Sequence, residues 1–398
     1  MKIRVLIISH SSGIYGSERA LLILAKNLQK SGIYDVNVTC PEMGPLVREL
    51  VHHDVRTIRL PTHSCLVTRF RTARTLATLP LYLRNIYRAY DLFRSGDYDI
   101  VHCNTNVSLE AAVAARMLNL PVVIHARELL KDNPTNFFSG WQKSYRMVDY
   151  LATKVICVSN YLREEMLEAG CSSEKATVIY NCFEKNTSTL RQEQGNGASD
   201  NVNVDRTPVI GCVSSIRPRK GITTLVRSFA IVRRQMPDVK LRIVGGGPRS
   251  YLRHVKRLAK KLHVHEHIDF SGQVTDASPY YKNFSVFALP SYAEAFGRVY
   301  GEAGLHGLPA IGTSAGGAAE IIEDGVTGRI VPPKDSEALA QAILEILSDS
   351  ELASQMGRRA RERVENYFTV RHQINRVMRV YDELLFQRRK KMQTAALQ

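Results

Sequence analysis

Val5-Leu6-Ile7-Ile8, the turn Ser9-His10-Ser11-Ser12-Gly13, and the stretch Ser17 to Gln29 with Leu21, Leu22, Leu24, Ala25 and Leu28 decide the fold. A short apolar run that ends in small polar turn residues has the pattern of a strand buried on both faces. Apolar residues at three- and four-residue steps have the pattern of a helix that packs one stripe. The alternation then recurs. Val36 to Thr39, Ile100 to Cys103, Val122 to His125 and Val155 to Ser159 read as strands, with helical stretches between them. Strands alternating with helices imply βαβ units and a parallel, doubly wound sheet.

Glu184 to Thr207 interrupts this pattern with Asn, Gln, Gly, Ser, Thr and Asp and almost no large apolar residue, the composition of an exposed linker. Afterwards the alternation restarts. Val209 to Val213, Leu241 to Val244 and Val286 to Leu289 read as strands, Thr223 to Arg234 and Val299 to His306 as helices, and the chain from Glu337 on as mostly helical. The expected architecture is α/β, with two Rossmann-like domains facing each other across a cleft. The first spans 1–185, a linker 186–207, and the second 208–368. A C-terminal helix and basic tail over 369–398 leave a return to the first domain open. Ligands of such sheets bind at the carboxyl ends of the strands.

Composition narrows the partners. The 398 residues carry 54 Lys and Arg against 38 Asp and Glu, a formal net charge of +16. That excludes an acidic solvating chain and favours an anionic partner: nucleic acid, a membrane surface or a phosphorylated ligand. Seven cysteines, at 40, 65, 103, 157, 171, 182 and 212, form no CxxC pair and are odd in number. This argues against a disulfide scaffold or a cysteine zinc site and fits a reducing compartment. The N-terminal apolar run is too short for a secretory signal, and no stretch approaches the roughly 20 apolar residues of a membrane span. A cytoplasmic protein is expected, meeting any membrane from its surface.

Four segments sit where strands run into helices. Ser11 to Arg19 holds Gly13 and Gly16 ahead of a helix, a turn that presents backbone N–H groups to a ligand; a tight turn needs glycine in any case. Ser214-Ser215-Ile216-Arg217-Pro218-Arg219-Lys220-Gly221 sets cations at a helix start. Arginine can fork across two phosphate oxygens, lysine supplies a point charge, and the helix end adds partial positive charge, a combination suited to a diphosphate. Ile243 to Pro248 contains Gly245, Gly246 and Gly247, which permit close backbone approach; a tight turn explains them almost as well. Pro290 to Ala303 carries Glu294 in a loop and Glu302 about two turns into a helix, with Gly297 between. Carboxylates accept hydrogen bonds from hydroxyl pairs, as in a sugar or a ribose.

Glu294, seven residues, Glu302 resembles the E-x7-E motif of family 4 glycosyltransferases, retaining enzymes of the GT-B fold. Other segments resemble that family in the same order. Gly16-Ser17-Glu18-Arg19 is similar to its N-terminal loop, although Tyr15 stands where the family often has glycine. Arg217 and Lys220-Gly221 are similar to its phosphate-binding residues, and Ile243 to Pro248 to its VGxGP turn. Val178 to Asn181 is similar to the strand end before its linker. Gly307-Leu308-Pro309-Ala310, Gly316 to Glu320 and Asp324 to Gly328 are similar to its C-terminal signature.

The resemblance implies sugar transfer from a nucleotide-sugar (UDP- or GDP-sugar) to an acceptor hydroxyl with retention. The first domain would bind acceptor and the second donor. Glu294 would hold donor-sugar hydroxyls and Glu302 the ribose. Arg217 and Lys220 would stabilise the leaving diphosphate, and His125 would lie near the reacting sugar, although its position equally fits a hydrogen-bonded histidine at a strand end. Gly246, Phe296, Gly297 and Arg298 would complete the donor site, and Gly13, Gly16, Ser17 and Glu18 the acceptor loop. No catalytic metal and no cofactor are expected, because the cations take the metal's place.

The stretch Leu66 to Arg94 sets Arg69, Arg71, Arg74, Arg84, Arg88 and Arg94 among Leu66, Phe70, Leu76, Leu79, Leu81, Tyr82, Leu83, Ile86 and Tyr87, against Asp91 alone. Such a pattern fits an anionic membrane interface, and equally a core-facing helix with a solvated arginine face. The tail Arg388-Arg389-Lys390-Lys391 fits either added headgroup attraction or a frayed end. The expected acceptor is a lipid-linked or polymeric cell-envelope glycan precursor. Nucleic acid is not expected, since the basic residues are not interleaved with a recognised binding module. Another GT-B activity, such as an epimerase or a phosphorylase, accommodates the paired Glu and basic residues less well.

Overall fold

In the computed structural model, residues 2–62, 73–131, 140–184 and 207–396 are described. The polar stretch expected to link two domains falls outside them except at its ends, as do Leu66, Arg69, Phe70 and Arg71. The chain forms two units, Met1–Cys182 with Val370–Gln398, and Phe183–Thr369.

In the first unit the order is β1 (Ile3–Ile8), α1 (Gly16–Lys30), β2 (Tyr34–Cys40), α2 (Pro45–His52), β3 (Arg56–Arg59), α3 (Ala73–Gly96), β4 (Ile100–Cys103), α4 (Glu110–Met117), β5 (Val122–Ala126), α5 (Trp141–Leu151), β6 (Lys154–Cys157), α6 (Asn160–Glu168) and β7 (Ala176–Val178). The seven strands are all parallel, in the order β3-β2-β1-β4-β5-β6-β7. Central strands β1, β4 and β5 are apolar and buried through most of their length, as strands covered on both faces must be. The edge strand β3 has exposed Arg56 and Arg59 at its ends, charges that discourage edge pairing.

The second unit repeats the plan with β8 (Val209–Val213), α7 (Ile222–Gln235), β9 (Lys240–Val244), α8 (Arg249–Lys261), β10 (Ile268–Gly272), α9 (Ser278–Tyr281), β11 (Val286–Ala288), α10 (Arg298–Leu305), β12 (Ala310–Thr313), α11 (Ala318–Ile321), β13 (Gly328–Val331), α12 (Ser336–Ser348) and α13 (Ser350–Tyr367). Its six parallel strands run β10-β9-β8-β11-β12-β13. The last helix, α14 (Val370–Ala396), belongs to the first unit. Its Ile374, Val377, Tyr381 and Leu384 enter the core formed by Val5, Ile7, Leu21, Leu24 and Val36.

In each sheet the strand order reverses beside the first strand, at β1/β4 (Val5↔Ile100) and β8/β11 (Val286↔Ile210). The loops leaving those strands therefore open outward beside each other, which is where doubly wound sheets bind ligands. The described cysteines 40, 103, 157, 171, 182 and 212 are free and buried. Burial pushes the thiols of Cys40, Cys103, Cys157, Cys171 and Cys212 up to about 12, so none of these is a nucleophile at neutral pH.

Candidate active site

At the β8/β11 switch point two loops are tied together by their backbones. After β8, Arg217 is extended and Pro218–Lys220 forms a single 3-10 turn. Gly221 ends that turn at φ 66°, a left-handed conformation, and a Cβ there would lie 1.9 Å from the carbonyl oxygen of Pro290. Only glycine lets the basic turn approach the β11 loop this closely. The Tyr292 N–H donates to the Arg219 carbonyl at 2.7 Å. Lys220 and Glu294, 74 residues apart, form an ion pair with side chains 12% and 14% exposed. Arg217 and Arg219 project into solvent beside it.

Glu294 is held from behind. Its backbone bridges Gly316, and the Gly317 N–H donates to its carbonyl at 2.8 Å. Gly316 has φ 121°, and a Cβ there would lie 2.2 Å from the Glu294 carbonyl oxygen. Ser291 Oγ is 3.4 Å from the Glu294 carboxylate, and Thr313 Oγ1 donates to the Ser291 carbonyl at 2.5 Å. Burial works against the charged carboxylate, but the Lys220 ammonium, with Arg219 and Ser291, outweighs it and holds the Glu294 pKa below its usual value. Glu294 is therefore an ionised hydrogen-bond acceptor at neutral pH.

Gly297, at φ 88°, starts α10, so Glu302 lies one turn into that helix and not two. Its carboxylate oxygens approach Arg298 Nε (3.7 Å) and the Tyr281 hydroxyl (3.2 Å). The Phe296 ring is buried against Phe183 and Phe368. That leaves its backbone, and not its ring, to face a ligand. The glycine turn after β9 packs on the backbone of the basic loop. The Ile216 N–H donates to the Gly246 carbonyl at 2.7 Å, and a Cβ at Gly245 or Gly247 would meet the carbonyl of Ser214 or Ile216 at 1.9 and 2.1 Å. Close packing thus accounts for Gly245 and Gly247 without a ligand.

In the first unit, the Gly13 N–H donates to Ser11 Oγ at 3.1 Å, and Gly16 begins α1. Glu18 is buried in the first turn, where a helix N-terminus favours negative charge. Its carboxylate accepts from Ser17 Oγ at 3.0 Å and lies 3.5 Å from His10 Nδ1. Asn104, leaving β4, donates to the Ser17 carbonyl at 3.1 Å across the switch point. His125 is fully buried on β5, 5.4 Å ring to ring from His102. Arg127 lies 3.2 Å from His125 Nδ1 and also donates to Asn104 and Asn181. Because arginine only donates, His125 Nδ1 accepts and Nε2 carries the proton. Burial, then Arg127 and His102, hold its pKa well below the usual value. It is a neutral imidazole, unsuited to carry a proton between substrates.

The sequence assigns no function to Asn104, Arg127 or Ser291, and it marks Asn181 and the glycine pair behind Glu294 only as parts of segments similar to the family's. The signal available was position, since Asn104, Arg127 and Asn181 all follow the ends of parallel strands.

A family profile described as Glycosyltransferase Family 4 matches residues 14–186, and one described as Glycosyl transferases group 1 matches 198–363. The uncharacterized glycosyltransferase MJ1607 of Methanocaldococcus jannaschii is 30% identical over 266 residues, 63% of this chain and 67% of that protein. The chain belongs to the family 4, group 1 glycosyltransferases. A GDP-mannose-dependent alpha-(1-6)-phosphatidylinositol monomannoside mannosyltransferase of Mycolicibacterium smegmatis is 37% identical over 159 residues, 38% of this chain. The match spans about two fifths of that relative's length (41%). Among solved structures, Anabaena HepE in complex with UDP and glucose superposes with a TM-score of 0.75 at 24% identity, covering 96% of this chain and 99% of that one. The two parallel α/β units of this family 4 chain are those of the GT-B fold.

Proposed function

We propose that this chain transfers a sugar, with retention of anomeric configuration, from a UDP- or GDP-sugar to a hydroxyl of a lipid-linked or polymeric cell-envelope glycan precursor. The Lys220–Glu294 pair at the β8/β11 switch point carries the reading. Without donor, the ammonium and the carboxylate neutralise each other. With donor, the diphosphate takes the Lys220 ammonium, and the sugar hydroxyls take the carboxylate. As the bond from the sugar to the diphosphate breaks, negative charge grows on the leaving group beside Lys220 and Arg217. Such pre-aimed groups are typically worth about 10²–10³ in rate each. Glu302 accepts from the ribose. Arg127 fixes the tautomer of His125, which acts as a neutral group near the sugar. The cations make a metal or other cofactor unnecessary, so activity is expected to survive EDTA.

Relatives support the substrate classes. One is GDP-mannose-dependent and acts on a phosphatidylinositol mannoside, and another is the Staphylococcus aureus capsular polysaccharide biosynthesis glycosyltransferase CapM. A thermal-shift panel of UDP, GDP and their sugars is the test. A ligand at 100 times its Kd stabilises by about 2.7 kcal/mol, and the absence of any shift with either nucleotide would overturn the donor reading.

The same reading puts the protein in the cytoplasm, where nucleotide sugars and reduced cysteines coexist, and at the surface of an anionic membrane. No described helix is long and apolar enough to cross one. On α3, Leu79, Leu83 and Tyr87 repeat every four residues at 49, 56 and 69% exposure, with Arg84 and Arg88 exposed beside them. An apolar row flanked by cations suits headgroups and acyl boundary together, and each engaged cation adds about 1 kcal/mol. Co-sedimentation with anionic vesicles at low salt is expected for wild type and should drop when Leu79, Leu83 and Tyr87 become Ser. If wild type ignores the vesicles, a soluble acceptor is the better reading.

A further inference from the structure

Glu302 stands on a support built by two residues that no motif includes. Tyr281, the last residue of α9, is buried, and its hydroxyl reaches the Glu302 Oε2 atom at 3.2 Å. His306, one turn after Glu302, stacks its ring on Tyr281 with centroids 5.1 Å apart and planes 21° apart. Its Nδ1 lies 2.9 Å from the Glu302 carbonyl. A carbonyl only accepts, so His306 Nδ1 carries a proton and donates. The other carboxylate oxygen faces Arg298 at 3.7 Å, a charge contact too long for a hydrogen bond. The Tyr281 hydroxyl also lies 3.5 Å from the Val299 carbonyl, so the carboxylate is the nearer of its two acceptors, and one side of it is held by a hydrogen bond from a buried phenol. A free glutamate on a helix surface would instead sample several rotamers and lose entropy on binding.

We propose that Tyr281 is a positioning residue for the donor ribose. Its hydroxyl sets the Glu302 carboxylate in the orientation that accepts from the ribose hydroxyls, and His306 holds the Tyr281 ring in place. Each carboxylate oxygen has two lone pairs, so the bond from Tyr281 leaves Oε2 able to accept once more. Without that bond the carboxylate turns freely, and the discrimination it provides between a ribose and a deoxyribose falls. The inference rests on the reading that Glu302 meets the ribose.

Titration with UDP and GDP, and then with the 2′-deoxy counterpart of whichever binds more tightly, tests it on the full chain. Wild type should prefer the ribonucleotide by about tenfold or more, the scale of one hydrogen bond to a charged group. Tyr281→Phe removes only the oxygen. It should weaken ribonucleotide binding several-fold, leave the deoxynucleotide nearly unchanged, and raise the donor KM with kcat little altered. His306→Phe keeps the stack and should give the same change at smaller size. Tyr281→Phe retaining the full ribose preference while Glu302→Gln loses it would overturn the inference and leave Glu302 as the ribose ligand. No ribose preference in wild type, or an undiminished one in Glu302→Gln, would remove the ribose reading and this inference with it. If Tyr281→Phe folds poorly by its melting temperature, His306→Phe decides on the same criterion.

Discussion

The two switch points share a topology and differ in what they hold. At β8/β11 the loops bring together opposite charges that remain in partial contact with water, Lys220 and Glu294 at 12% and 14% exposure. Beside β1/β4 lies a polar group sealed from water: His102, His125, Asn104, Arg127 and Asn181 are all buried. A doubly wound sheet therefore dictates where a site opens, while the loop residues decide whether it holds an ion pair in partial contact with water or a buried polar group around the Arg127 cation. Charges at the second site can exchange partners when a ligand arrives. The first resists taking up a proton, because burial and the neighbouring Arg127 cation both oppose a charged imidazole there.

The comparison breaks most sharply at Lys220. Lys220→Ala should lower turnover about 10²–10³-fold and weaken binding of the nucleotide diphosphate. It also leaves the Glu294 carboxylate without its cation, so thermal stability should fall. Adding Glu294→Gln should recover the stability and none of the activity. Wild-type turnover in Lys220→Ala would sink the charged-site half of the comparison.

A smaller loss is expected from Gly316→Ala, which sets a methyl against the Glu294 carbonyl. Misplacing a reacting group by about 1 Å can cost about 10²-fold in rate. Gly307→Ala is the control. Gly307 is also left-handed, at φ 68°, but nothing lies within 4 Å of its missing Cβ, so strain alone should leave kcat within about twofold. Equal effects of the two variants would mean that backbone strain, and not the position of Glu294, is what matters.

The smallest effect sharpens the contrast through pH. Burial first, then Arg127, lowers the pKa of His102 from 6.5 to about 3, and that of His125 also falls well below 6.5. Below pH 6.5 the unfolded chain binds protons that the folded one refuses, so the first unit loses stability as pH falls from 6.5 towards 3. The slope reaches up to about 1.4 kcal/mol per pH unit for each histidine. The Glu294 pKa is lowered from 4.5, so its contribution is present above 4.5 and is lost only at lower pH. The single tryptophan, Trp141, lies on α5 of the first unit. Its fluorescence in denaturant titrations should show stability declining between pH 6.5 and 5, and His102→Gln with His125→Gln should flatten the decline. A flat profile in wild type would mean that these histidines are not held neutral.

Much of this was legible in sequence. The strands at Ile100–Cys103 and Val209–Val213 have the bounds that their apolar runs predict. Arg56–Arg59, by contrast, has no apolar run, because an edge strand need not be buried. The strands β10, β12 and β13 contain Gly, Ser or Thr among their few residues, so periodicity leaves them unmarked. Spacing put Glu294 in a loop and the helix start within one residue of Arg298, but Glu302 was set a turn too deep, since the left-handed Gly297 caps a helix in which Glu302 is the fifth residue. The pairing of Lys220 with Glu294 is written in no local pattern. It follows from β8 and β11 lying side by side, a property of the whole sheet. The Phe296 ring turned inward because two partners, Phe183 and Phe368, come from distant segments.

One feature bears on how the chain is made. His102 and Tyr381, 279 residues apart, meet at 2.7 Å inside the first unit, and α14 supplies part of that unit's core. A ribosome adding about 5–20 residues per second needs roughly 10–40 s to traverse Phe183–Thr369 before α14 exists. Throughout that interval the second unit is still being made, and the first waits without the helix whose Ile374, Val377, Tyr381 and Leu384 complete its core. Premature release would strand the first unit without its final helix, so the nascent first unit, and not the second, is the natural client for a chaperone.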